Sequence, residues 1–133
     1  MIVVDSNVLA YLYLPTPLTP HAIKLRAKEP DWAVPRLWRS EMRSVLSLYI
    51  RKELITLEQA YRIQSTAETL LAASEHDVPS LEILQLAKTS GCSAYDCEFV
   101  ALANALGVKL VTSDKKVLKA FPETAVSLAI AGA

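Results

Sequence analysis

Two cysteines, Cys92 and Cys97, are all that the 133-residue chain contains. Five positions apart, they make neither a C-x-x-C redox pair nor half of a zinc site. Two small buried thiols in a reducing compartment are expected instead. Long apolar runs are also missing. The longest clearly apolar stretch near the start, Val8 to Leu14, has seven residues, whereas a bilayer crossing takes about twenty. The opening Met-Ile-Val-Val-Asp has no basic segment, so no secretory leader is expected and a cytoplasmic location is. There is no internal repeat, no low-complexity segment and no long linker. Net charge is zero, with 14 Lys and Arg against 14 Asp and Glu, which neither supports nor excludes a nucleic-acid partner.

What is present is oily for a small protein. Apolar residues make up 52% of the chain, and mean hydropathy is +0.26. A length of 133 residues suits one domain, spanning residues 1–133, able to bury roughly two thirds of its unfolded surface without disulfides. The excess of apolar residues implies either a large core or a surface that a partner covers. Charge is unevenly spread. Residues 24–62 hold nine Lys and Arg against five acids, and residues 63–98 hold one against six. The basic middle is either a face for nucleic acid or an ordinary solvated helix face.

Strand and helix signals alternate. Ile2-Val3-Val4, a β-branched run, reads as a buried parallel strand. A helix is expected over 7–14, stopped by Pro15 and Pro17, and a second begins with Thr19 as cap and Pro20 at its first position. Trp32-Ala33-Val34 reads as a strand, followed by helices over 36–51 and 57–73 with apolar residues every three to four positions. A short strand is expected near Asp77-Val78, then a helix from Ser80 to about Lys88. Gly91 breaks the chain, Ser93 starts the next helix and Gly107 closes it. Val108 to Thr112 is a strand, Asp114 opens a short helix to about Ala120, and Ala125 to Ala129 reads as a last strand. The expected fold class is α/β: a three-layer α/β/α arrangement around a mostly parallel sheet of four or five strands.

Four acids stand out against that frame. In open α/β sheets ligands sit beyond the C-terminal ends of the strands. Asp5 follows the first strand, and Asp114 comes two residues after Thr112. Glu41 has Leu37, Val45 and Leu48 at i−4, i+4 and i+7, so its carboxylate points along an apolar face. Asp96 repeats this with Phe99, Val100 and Ala103. Buried carboxylates are costly unless paired or bound to a cation, and no Lys or Arg occupies a matching position. Four converging acids would raise one another's pKa values, and Mg²⁺ or Mn²⁺ would relieve this. No His or Cys stands in ligand-like spacing to them, which disfavours zinc. Each acid also has an ordinary use. Asp5 and Asp114 suit helix caps, Asp96 completes a Ser-x-x-Asp capping box with Ser93, and Glu41 suits a satisfied helix position. Those uses do not explain why all four choose one edge or an apolar face.

Thr112, Ser113 and Asn7 are supporting candidates, able to bond an acid or a substrate phosphate, although turn chemistry suits them equally. Glu98 lies about 200° around the helix from Asp96 and is not expected as a primary ligand. His21 and His76 read as surface residues, and Trp32 and Trp38 as core or interface.

Four stretches carry a resemblance: Ile2-Val3-Val4-Asp5-Ser6-Asn7-Val8-Leu9, Ser40-Glu41-Met42-Arg43-Ser44-Val45-Leu46, Ala94-Tyr95-Asp96-Cys97-Glu98-Phe99-Val100-Ala101-Leu102-Ala103, and Leu110-Val111-Thr112-Ser113-Asp114-Lys115-Lys116. In order and spacing the chain resembles the PIN domain family, and within it the VapC-type toxin ribonucleases of VapBC toxin–antitoxin pairs. The resemblance implies catalytic, metal-holding acids at Asp5, Glu41, Asp96 and Asp114 with Mg²⁺ or Mn²⁺. It also implies RNA cleavage, a homodimer and an antitoxin that blocks the site. Residues 57–90 match no motif. Hydrolysis by an activated water would leave 5′-phosphate and 3′-hydroxyl ends. Arg39, Arg43, Lys115 and Lys116 would be the cations for flanking phosphates.

Rival readings fit less well. A haloacid-dehalogenase-type phosphotransferase wants a second Asp where Asn7 stands. A receiver domain wants adjacent acids where Ser6 follows Asp5. A non-catalytic RNA- or protein-binding module on the same fold is the main alternative, and it predicts binding that survives EDTA.

Overall fold

Short apolar runs become four of the five strands, and each strand is followed by a helix. The computed structural model describes residues 1–133. The first half runs β1 (Ile2–Val4), α1 (Ser6–Tyr13), α2 (Thr19–Lys28), β2 (Trp32–Pro35), α3 (Trp38–Arg51) and α4 (Leu57–Leu71). The second half runs β3 (Glu75–His76), α5 (Ser80–Ser90), α6 (Ala94–Leu106), β4 (Leu110–Thr112), α7 (Lys115–Ala120), β5 (Ala125–Ser127) and α8 (Leu128–Ala131). The five strands form one parallel sheet in the order β3-β2-β1-β4-β5. That is the expected α/β/α class, with helices on both faces and five strands.

The strand order matters for the site. From β1 the chain crosses to β2 on one side, and β4 lies against β1 on the other. Between β1 and β4 the connections therefore leave in opposite directions and open a crevice at the C-terminal ends of these strands. The register Val3↔Leu110 and Val4↔Val111 brings the residue after β1, Asp5, level with Thr112. The Asp5 amide continues the ladder to the Val111 carbonyl at 3.2 Å.

The core fixes this edge. Val3, Val4, Val34, Leu110 and Val111 are almost wholly buried, and so are both tryptophans, Trp32 and Trp38. α6 lies along β1, β2 and β4 with α5 against it, while α1 packs on α2 and α3, and α3 on α4. Trp38, Met42 and Leu46 form the buried ridge of α3. Beside that ridge, Arg39 grips Glu75 through two bonds of 2.7 and 2.8 Å and reaches Glu68 at 3.1 Å. Trp38 Nε1 also donates to Glu75, at 2.9 Å. This knot ties α3 to β3 and α4. It also explains where β3 lies: the strand is Glu75–His76 rather than the expected Asp77-Val78, because the anchored Glu75 sets the register against Val34.

Other boundaries shift for similar local reasons. Thr19 is the first residue of α2 and not its cap. Its hydroxyl donates to the Leu14 carbonyl at 2.8 Å and accepts the Thr16 amide at 2.9 Å, closing the proline-marked turn. The last strand ends at Ser127, whose hydroxyl caps α8 through the Ile130 amide at 3.3 Å, so Leu128 and Ala129 are helical. His21 is half-buried, with Nδ1 3.2 Å from the Gly132 carbonyl, and is not a free surface residue. Cys92 and Cys97 are buried and unpaired. No helix is long and apolar enough to cross a membrane.

Leu9, wholly buried on α1 one turn past Asp5, tests how firmly this edge is built. Leu9→Ala should cost about 2–5 kcal/mol, lowering the urea midpoint without changing its slope. An unchanged midpoint would mean that α1 is not packed as described.

Candidate active site

The four acids line one cleft of about 240 Å³, together with Ser6, Asn7, Ser44, Val45, Phe99, Leu110 and Val117. At about 30 Å³ per water, it has room for an ion, several waters or a phosphate group. Its floor is the β1/β4 edge, and its walls are the first turns of four helices.

Each acid stands at a helix start. Asp5 caps α1, its Oδ1 accepting the Val8 amide at 2.9 Å. Asp114 caps α7, its Oδ1 accepting the amides of Lys116 and Val117 at 2.8 and 3.3 Å. Asp96 lies in the first turn of α6, where its amide donates to the Ser93 hydroxyl at 3.0 Å. Glu41 lies in the first turn of α3. The capping role and the shared pocket are thus both present. Helix N-termini carry partial positive charge, so each favours a nearby carboxylate by about 0.3–1 kcal/mol. Four such ends meet here in place of lysine or arginine. None of the chain's ion pairs involves these acids.

Hydroxyls complete the set. Thr112, fully buried, donates its Oγ1 hydrogen to Asp5 Oδ2 and accepts the Asp114 amide at 3.0 Å, so one side chain joins the two strand-end acids. Ser6, also buried, donates to Glu41 Oε1 at 2.9 Å. Asn7 reaches the cleft. Ser113 does not; its hydroxyl is 3.2 Å from that of Tyr11. Sequence reasoning had no reason to single out Ser6 and Ser44. Glu41 also differs in detail from expectation. Leu48 is exposed, and the carboxylate sits at the margin of the buried ridge rather than along an apolar face.

Electrostatics follow from this crowding. Burial pushes the Asp5 carboxyl up from 3.8 to about 6; the Thr112 and Val8 hydrogen bonds oppose it and the Asp114 charge adds to it. Burial also raises Glu41, eased by Ser6 and reinforced by the charges of Asp96, Asp5 and Glu98. Asp96 is raised by burial and by Asp114, and eased by Ser93 and Lys116. Glu98, half-buried, is raised by burial. Of the expected phosphate-binding cations, Arg39 is taken by Glu75 and Glu68, and Arg43 leans toward Glu68 at 3.9 Å. Lys115 and Lys116 are exposed and free of ion pairs in the first turn of α7, directly after Asp114.

The donor chemistry fits a hard divalent cation: carboxylates and hydroxyls, with no thiol or imidazole in the lining. As the side chains stand, no three are drawn tightly enough together to enclose an ion.

The raised Asp5 has a consequence for the metal-free chain. Its folded value, about 6, lies above its ordinary 3.8, so the folded state binds that proton more tightly than the unfolded one. The resulting stabilisation, up to about 3 kcal/mol, is full below the ordinary value and is lost as pH rises through about 6. In EDTA, Asp5→Asn keeps the helix cap and should therefore lose less melting temperature than the parent between about pH 4 and 7. Parallel melting curves would show that Asp5 is not strained by its charge.

Known proteins are similar to this chain in sequence and in fold. The sequence profile described as PIN domain matches residues 2–124. Ribonuclease VapC3 of Pyrobaculum aerophilum is 27% identical over 124 residues, covering 91% of this chain and 95% of that protein. The crystal structure of PAE2754 from Pyrobaculum aerophilum superposes with a TM-score of 0.76 at 22% identity, over 98% of this chain and 92% of that one. FitAcB from Neisseria gonorrhoeae superposes with a TM-score of 0.72 at 19% identity, over 97% and 99% of the two chains. At such identities the solved structures bear on the fold alone.

Proposed function

The chain belongs to the PIN domain family, and on that premise we propose that it is a metal-dependent ribonuclease, the toxin of a type II toxin–antitoxin pair. One observation carries the reading: four carboxylates line a single cleft at the β1/β4 switch point with no basic side chain paired to any of them. The name of the relative, Ribonuclease VapC3, supports RNA as substrate.

Asp5, Glu41, Asp96 and Asp114 would hold Mg²⁺ or Mn²⁺. When bound, such an ion supplies a Lewis acid and lowers the pKa of water toward neutrality. The chain's own groups prepare the site. Thr112 and the Val8 amide fix both oxygens of Asp5. Ser6 fixes one oxygen of Glu41, and the α7 amides fix one oxygen of Asp114, leaving Glu41 Oε2 and Asp114 Oδ2 without a hydrogen bond inside the chain. Lys115 and Lys116, exposed beside Asp114, would be the cations for phosphates flanking the scissile bond. Attack by water rather than by the ribose 2′-hydroxyl leaves a 5′-phosphate and a 3′-hydroxyl.

A partner reading accompanies this one. Leu54, Leu57 and Tyr61 are exposed by 63%, 74% and 72%. Leu57 and Tyr61 line a groove between α3 and α4 with Leu46 and Ile50. Apolar area of this kind supports cover by protein, and we assign an antitoxin and a second copy of the chain as the proteins that provide it.

The test is incubation of the antitoxin-free protein with end-labelled total RNA in Mg²⁺, Mn²⁺ or EDTA, beside Asp5→Asn. Metal-dependent cleavage giving 5′-phosphate ends, lost in EDTA and in the variant, is expected. Folded protein that binds RNA in EDTA and never cleaves it would replace this reading with the binding module.

A further inference from the structure

Ser6 stands in the first position of α1, where a hydroxyl ordinarily serves the helix backbone. That duty is already filled, because Asp5 caps the helix through the Val8 amide at 2.9 Å. The Ser6 side chain turns instead across the cleft and donates to Glu41 Oε1 at 2.9 Å, joining residues 35 positions apart. Ser6 is only 4% exposed, so the bond is largely shielded from bulk solvent. Glu41 has no other hydrogen bond or ion pair from its side chain. Among the acids of the cleft it also has the longest side chain, and therefore the most rotamer freedom to lose on ordering. Asp5, by contrast, is held twice and Asp114 is held by two amides.

We propose that Ser6 is a positioning residue: its hydroxyl holds Glu41 in the cleft, leaving Oε2 free to meet the ion. This rests on the metal-dependent reading above and adds a residue that acts through another. Carboxylates that ligate metals are themselves oriented by hydrogen bonds, and losing such a partner typically costs about 10–100-fold in metal affinity or activity. The bond also relieves the charge on Glu41, whose carboxyl burial would otherwise push higher still.

Mn²⁺ is the probe. Calorimetric titration of the full chain is made on the parent, Ser6→Ala, Glu41→Gln and the double variant, with circular dichroism and EDTA melting to establish folding. Ser6→Ala should bind Mn²⁺ about 10–100-fold more weakly and add no further loss in the Glu41→Gln background, since non-additivity marks groups that act together. On RNA, Ser6→Ala should lower kcat at fixed Mn²⁺ while leaving KM unchanged. If Ser6→Ala is unfolded, Ser6→Cys, nearly isosteric with a weak donor, should give the same pattern. Parent-like Mn²⁺ affinity, or an equal loss with and without Glu41, overturns the assignment. A parent that cleaves RNA while the Ser6 variant binds Mn²⁺ normally removes Ser6 and leaves the ribonuclease. A parent that binds Mn²⁺ in a Ser6-dependent way and cleaves nothing removes the ribonuclease and leaves Ser6.

Discussion

Four negative side chains in one cleft must be held against their own repulsion, and the chain does so without a single lysine or arginine paired to them. Helix N-termini take that role. Asp5 and Asp114 cap α1 and α7, while Glu41 and Asp96 occupy the first turns of α3 and α6. Backbone amides and the helix dipoles favour the ionised form at each position. They are fixed parts of the fold, so they cannot swing away as a long cationic side chain would. Burial, with the neighbouring acids adding to it, still holds the carboxyl pKa values of Asp5, Glu41 and Asp96 above their ordinary range. A compensation that stops short of neutrality suits a site that takes a cation from solution. An arginine in the cleft would quiet the same charges permanently and compete with the ion.

The sheet order supplies the place where these ends can meet. Only between β1 and β4 do the connections diverge, so only there can the helices leaving two neighbouring strands splay apart. Thr112 makes that junction rigid by bonding Asp5 across the strands and receiving the Asp114 amide. On the far side, the Arg39–Glu75–Trp38 knot fixes α3, and with it the height of Glu41 above the sheet. The chain thus spends a basic residue two positions from Glu41 on architecture and keeps it out of the cleft. Stability and chemistry are divided between opposite faces of one helix.

Much of this was legible in the sequence because it depends on local rules. A β-branched run ending in Asp, and another ending in Thr-Ser-Asp, place two acids at strand ends whatever the rest of the chain does. Ser93 and Gly107 bound α6 and so place Asp96 in its first turn. Glu41 was found for a reason only partly right: the buried ridge runs through Trp38, Met42 and Leu46, and Leu48 faces solvent. What escaped depends on long-range contacts. The bond from Ser6 to Glu41, the Tyr11–Ser113 pair that turns Ser113 away from the cleft, and the capture of Arg39 by Glu75 all join distant segments. β3 has only two residues and no apolar signature, so its register could be read only once Glu75 was seen in place. Ser127 ends the last strand early because a serine suits both an extended residue and a helix cap.

The central claim is that the four carboxylates form a cation site. Crystals grown with Mn²⁺ and examined by its anomalous scattering test this most directly. The account predicts an anomalous peak in the cleft, in contact with carboxylate oxygens of Asp5, Asp114 and at least one of Glu41 and Asp96. A cleft empty of Mn²⁺ at saturating concentration, or a peak only at unrelated surface acids, would contradict it.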